Sequence, residues 1–117
     1  MGTKPWSAVI VVASASVFGC GASVPPPHDQ YAAAEADVGR AQAGGAPSVP
    51  EAMLHLQLAT EDLQKSKQLM NSDNRRAALL SDVASTEAQL ALALAHQAAA
   101  RQEASVAQDA LQKGTRQ

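Results

Sequence analysis

Apolar residues recur at spacings of three and four along three separate stretches of this chain. In the first, Tyr31, Ala34, Val38 and Ala41 share one face of a helix. Asp29 is expected to be its N-cap, Glu35 and Asp37 to face outward, and Gly44-Gly45 to stop it, with Ala46-Pro47 continuing the turn. Ser48-Val49-Pro50-Glu51 then has the spacing of a capping box, with proline in the first turn, and predicts a second helix to about Met70. Leu56, Ala59, Leu63 and Met70 give it a coiled-coil-like stripe, interrupted by Ser66 and widened by Leu54, Leu58 and Leu69. Asn71-Ser72-Asp73-Asn74 is a polar break in which Asn can close one helix and Ser72 or Asp73 can cap the next. From Asn74 to Lys113 there is no Gly or Pro, and Ala, Leu, Gln and Glu dominate, all good helix formers. Leu79, Val83, Thr86, Leu90 and Ala93 form one stripe there. Ala77, Ala84, Ala88, Ala91, Ala95 and Ala98 form a second stripe of small residues beside it. Gly114 is expected to end the run, leaving Thr115-Arg116-Gln117 frayed.

The lengths of these stretches constrain the architecture. The second helix measures about 31 Å and the third up to about 60 Å at 1.5 Å per residue. Paired as a hairpin, the third must overhang by roughly 20 residues, more than the short first helix can cover. The expected fold is therefore all-α, an antiparallel three-helix bundle with a long, partly projecting last helix. Residues from about Ala95 to Lys113 should project, with Val106, Ala110 and Leu111 as a weak apolar face.

The start of the chain has a different pattern. Lys4 precedes a short apolar run, Val9-Ile10-Val11-Val12-Ala13-Ser14-Ala15-Ser16-Val17-Phe18, which leads to Gly19-Cys20. A charged start, a short apolar core and small residues at a cut describe a secretory signal. With a cysteine at the cut, the segment resembles the lipobox of bacterial lipoproteins. That resemblance implies cleavage between Gly19 and Cys20 and lipidation of Cys20. Gly21 stands where an aspartate would retain an enteric-type lipoprotein at the inner membrane, so the resemblance points to the outer membrane and its periplasmic face. Two other readings stay open, an ordinary secretory signal and an uncleaved anchor, although a membrane span needs about 20 apolar residues. Residues 20–28 read as a tether, in which Pro25-Pro26-Pro27 favours an extended polyproline conformation.

Composition narrows the function. Removing residues 1–19 leaves 98 of the 117 residues, enough for one small domain. The net charge of −2 becomes one unit more negative once Lys4 is gone. No basic footprint for nucleic acid remains, and the adjacent pair Arg75-Arg76 is flanked by Asp73 and Asp82. Cys20 is the only cysteine, so a lipidated chain has no thiol for a disulfide, a thiolate metal site or a nucleophile. Trp6 and Phe18 leave with the signal, and Tyr31 is the last aromatic side chain. The core must be built of Ala, Leu, Met and Val, which bury little area per residue.

Candidate chemistry is sparse. His28, His55 and His96 lie in the tether, the second helix and the third, none with a histidine or cysteine four residues away, and they read as surface histidines. No Gly-x-Ser-x-Gly elbow is present, and Gly44-Gly45-Ala46-Pro47 lacks the Lys-Ser/Thr of a phosphate loop. Glu61 and Asp62 are adjacent and point about 100° apart on a helix, which makes a solvated face and not an acid–base pair. No catalytic, cofactor or metal residue is expected.

Ala41, Ala43, Gly45-Ala46-Pro47, Ala52, Leu56, Ala59 and Leu63, then Arg76-Ala77, Ala84, Ala88 and Ala91, resemble the domain-of-unknown-function 4398 family of Ala-rich helical envelope lipoproteins. The resemblance spans Tyr31 to about Ala98. It implies a periplasmic helical module with no defined activity, some members being fused to a peptidoglycan-binding domain of the OmpA type. The expectation is a non-enzymatic, lipid-anchored module with a structural or adaptor role. Its partners would be the membrane, through acyl chains on Cys20, and an envelope protein or a second copy. The alternative is a small module that binds an apolar ligand or lipid between its helices.

Overall fold

The computed structural model describes residues 23–117. The expected signal peptide, the cleavage position at Gly19 and Cys20, and the lipidated Cys20 itself lie outside the described residues. Three α-helices follow in order, His28–Ala43 (α1), Pro50–Leu69 (α2) and Asn74–Thr115 (α3), with one 3-10 turn at Ala46–Ser48. The all-α architecture with a long last helix is as the periodicity predicts. Among the described residues, no helix is long and apolar enough to cross a membrane.

The ends of the helices differ from the sequence expectation in several places. Pro27, not Asp29, is the N-cap of α1, and Asp29 sits in the first turn, where its charge favours the helix N-terminus. The Ser48 capping box does not form. Ser48 ends the 3-10 turn, its N–H bonds to the Gly45 carbonyl at 3.0 Å, and extended Val49 caps α2 ahead of Pro50. Asp73 does cap α3, accepting from the Arg76 N–H at 3.1 Å. Gly114 does not stop α3, which continues to Thr115.

Two turns rest on specific residues. Gly45 has a φ of 90°, in the left-handed region that glycine enters without steric cost. Gly44 lies where a Cβ would overlap the Leu92 side chain, so this corner approaches α3 closely. Asn71 also takes a left-handed φ, of 72°, and its N–H bonds to Asn74 Oδ1 at 2.7 Å.

Helices α2 and α3 form an antiparallel pair whose buried positions follow one heptad-type rhythm. On α2 they are Ala52, Leu56, Ala59, Leu63 and Ser66; on α3 they are Ala77, Ser81, Ala84, Ala88, Ala91 and Ala95. Alternating steps of four and three keep such a seam on one side of each helix. Among the described residues, nothing larger than Ser66 and Ser81 is completely enclosed. Small side chains let the two backbones approach closely, and Leu56 and Leu63 are the large residues in the seam. Ser66 is therefore part of the seam and not an interruption of it. Its hydroxyl donates to the Ala77 carbonyl at 2.8 Å and lies 2.8 Å from Ser81 Oγ. Having one hydrogen, Ser66 must accept from Ser81, which satisfies both buried hydroxyls.

Helix α1 runs parallel to α3 and lies against both other helices. Asp37, expected on the outward face, is 5 % exposed. Its carboxylate accepts from Arg40, from Ser85 and, at 3.1 Å, from Gln89 Nε2, so three donors offset its burial. Ala41, Ala46, Ala52, Leu56, Ala91 and Ala95 cluster around the α1–α2 corner; Ala34, Leu63 and Ala84 cluster further along, with Tyr31 and Val38 packed against them. The proline segment does not extend freely from the bundle: Pro27 is buried, and the Val24 carbonyl accepts from Asn74 Nδ2 at 2.7 Å.

Candidate functional site: the outer face of the last helix

The small-residue stripe of α3 faces the core, and this fixes where the larger residues go. At about 100° per residue, Leu79, Val83, Thr86, Leu90 and Ala93 fall on the opposite side of the helix from Ala77, Ala84, Ala88 and Ala91. The two stripes are therefore back to back, not adjacent. Leu79 is 62 % exposed and Leu90 42 %. On α2, Leu54 and Leu58 do not widen the stripe as expected but point to solvent along with Met53, while Leu69 is half-buried.

The outer stripe does not end with the bundle. The same alternation continues through Gln97, Ala100, Ala104, Ala107 and Leu111, all of them exposed. Ala95 is the last buried residue, and every residue from Ala99 to Gln117 is exposed. The projection thus starts at about Ala99, four residues later than the lengths predict, because α1 and its corner cover Ala95. Over the projection the core-facing positions become Gln102, Ser105, Asp109 and Gln112, so the inner seam turns polar just where it loses its partner. The outer seam keeps apolar residues to Leu111, which is 72 % exposed. Val106 is also exposed but does not join this seam, lying about 130° round the helix from it at about 100° per residue, so the expected face of Val106 with Leu111 does not form.

A second concave feature lies between α1 and α2. Tyr31, Glu35, Val38, Gly39, Thr60 and Leu63 are among the residues lining a cleft of 310 Å³. It adjoins a wider trough lined by Met53, Leu56 and Gln57 and sharing Gln42, Thr60 and Gln64. Burial, and then the neighbouring Glu35 charge, raise the Tyr31 phenol above its usual range. The lining mixes carboxylates and glutamines with aliphatic carbon, which suits a small amphipathic molecule more than a purely apolar one.

The sequence-nominated side chains are scattered. His28 and His96 are exposed, whereas His55 is half-buried and its Nδ1 lies 2.6 Å from Glu87 Oε2, tying α2 to α3. Glu61 and Asp62 both lie near Lys65, at 4.0 and 3.3 Å. Among the described residues no His, Cys, Asp and Glu side chains group in a way that could hold a metal ion. Every buried side-chain polar atom described has a hydrogen-bond partner. Comparison of the chain with family models, with curated proteins and with solved structures finds no match.

Proposed function

We propose that this chain is a lipid-anchored helical module of the bacterial envelope that works by helix–helix contact and not by catalysis. One observation carries the reading: α3 leaves the bundle with an apolar seam that faces solvent along its whole length. Exposed apolar stripes of this kind mark interaction surfaces. The anchor is the lipobox-like Gly19-Cys20, and the resemblance to the Ala-rich envelope lipoproteins supports the same role. Two or three acyl chains would hold the chain stably, where a single one gives only marginal binding.

The test has two arms. Intact-mass analysis of membrane-purified protein, beside a Cys20→Ala variant, should show a chain that begins at Cys20 and carries acyl groups. An unmodified mass removes the anchor. Deleting residues 99–117, which bury nothing in the bundle, should abolish cross-linking of the chain to its contacts on membranes while leaving its helicity per residue intact. Unchanged cross-linking refutes contact through the projection. The cleft beside Tyr31 and Glu35 supports a second reading, a module for a small amphipathic lipid or ligand. Native mass analysis of the membrane-extracted chain would show such a ligand retained.

A further inference from the structure

We infer that the partner of the outer α3 seam is a second copy of this chain, paired antiparallel so that each projection lies along the other's bundle. This names the partner for the contact role proposed above and rests on that reading.

The first argument is fit. The seam runs from Leu79 to Leu111, about 50 Å at 1.5 Å per residue. Its first part, to about Ala93, lies on the outside of the bundle, and its last part, from Ala100, on the projection. An antiparallel pair with full overlap sets Leu79 against Leu111 of the second copy, Val83 against Ala107 and Leu90 against Ala100. The same contacts repeat from the other side of the dyad near Ala95. Each bundle then gains the other's projection as a fourth helix, in which Ala107 and Ala100 receive Val83 and Leu90 while Leu79 and Leu111 meet at the ends of the seam. No length of either seam is left over.

The second argument is charge. In this register Glu87, half-buried with one carboxylate oxygen on His55 of its own chain, flanks the seam beside Arg101 of the second copy, twice by symmetry, with the half-buried Leu94 beside Leu94 of the second copy between them. Arg101 is exposed and makes no ion pair among the described residues. Moving the register by one heptad toward the N-terminus places Asp82 beside Glu103 of the second copy. Moving it by two places Glu87 beside itself. Full overlap therefore gives both the longest seam and opposite charges, which sets register in paired helices.

The third argument is area. A strip about 50 Å long and about 10 Å wide covers roughly 500 Å² on each copy, or about 1,000 Å² in all, the lower bound of a specific interface. The pairing is thus weak in free solution. Confinement of both copies to one membrane raises their effective concentration and favours it. The dyad places the two Val24 ends, held at Asn74, at opposite ends of the pair, so the paired helices would lie along the surface that anchors them.

Disulfide cross-linking in membranes tests this directly. The full chain carries His96→Cys, Leu79→Cys or Leu111→Cys, all at exposed positions, and the unsubstituted chain measures any background from Cys20. His96→Cys should cross-link to itself. Leu79→Cys and Leu111→Cys should not, yet should cross-link to each other when co-expressed. Self-cross-linking at all three positions means a parallel pair and overturns the inference. So does absence of any band above background.

Sedimentation of the detergent-solubilised chain provides an independent measurement. Arg101→Glu should weaken self-association by about thirtyfold, since two surface ion pairs become two like-charge pairs. Adding Glu87→Arg should restore most of it, a gain that loss of the His55 contact within one chain could not produce. No change with Arg101→Glu overturns the register. If the chain stays monomeric while deletion of residues 99–117 still abolishes a cross-link to a different protein, the inference fails and the contact role stands.

Discussion

Replacing Leu63 by alanine tests which face of the hairpin holds the molecule together. Leu63 is 6 % exposed and packs with Ala34 and Ala84 where the three helices meet. The substitution removes three carbons, worth about 2.4 kcal/mol at about 0.8 kcal/mol per carbon. The cavity left behind adds to this, giving an expected loss of about 3 kcal/mol. For a domain stable by about 5–15 kcal/mol, that is a large fraction. Leu90→Ala removes the same three carbons from a position 42 % exposed on the outer seam. Water fills the space there, and the expected loss is about 0.5 kcal/mol. Urea denaturation followed by far-ultraviolet circular dichroism, at a dilution where the chain is monomeric, measures both. The Leu63 variant should unfold at a clearly lower urea midpoint, and the Leu90 variant close to the parent. Equal losses would show that the leucine stripe of α3 is buried after all and would refute the back-to-back assignment of its two faces.

Two further outcomes follow from the α1 contacts. Asp37→Ala leaves Ser85 and Gln89 without their buried acceptor and should cost about 2 kcal/mol, while Asp37→Asn keeps an acceptor oxygen and should cost about half as much; urea midpoints compare them, and equal, negligible losses would mean the carboxylate is not holding α1 on α3. Tyr31 is the only tyrosine, so its ionisation can be followed by tyrosinate absorbance. Its midpoint should lie above the ordinary value of 10.0 in the folded chain and return to it in urea. The neutral phenol is the favoured form, so this stabilisation is complete below the unfolded value and is lost as pH rises through the folded one. A folded midpoint at or below 10.0 would refute desolvation at that corner.

Much of the helical outline was legible, because Gly44-Gly45 and Asn71–Asn74 are strong local breaks and the segments between them are good helix formers. The faces were harder to assign. Periodicity reports that α3 carries two stripes but not which one meets a neighbour, and hydrophobicity favours the leucines. The seam chose alanine because closeness of approach outweighs side-chain area when α2 offers Ala52, Ala59 and Ser66 at the matching positions. Asp37 is three residues after Ala34 and four before Ala41, the spacing of a buried position, and its charge concealed that. What could not be read was the set of donors on α3, Ser85 and Gln89, that makes its burial tolerable. The Ser48 capping box failed for a local reason, since the 3-10 turn had already claimed the Ser48 N–H.

The distribution of side-chain size across this molecule is inverted relative to an ordinary small domain. Among the described residues the completely enclosed positions are alanine and serine, with Leu56 and Leu63 the large apolar side chains buried beside them, while Met53, Leu54, Leu58, Leu79, Val83, Leu90, Val106 and Leu111 are exposed. Burial of apolar area is the main favourable term in folding, so a chain that spends its large side chains outside forgoes much of that term as a monomer. A close-packed alanine seam makes the hairpin thin, and its thinness brings the outer leucines of α3 within reach of another helix. The same choice that weakens the isolated bundle thus furnishes the outer seam. Anything that covers that seam stabilises the folded chain by mass action. Anchoring at Cys20 would make such coverage depend on density in the membrane more than on intrinsic affinity. A weak core and an extended helix with an exposed seam are then parts of one physical arrangement, in which coverage of the seam and stability of the fold are coupled.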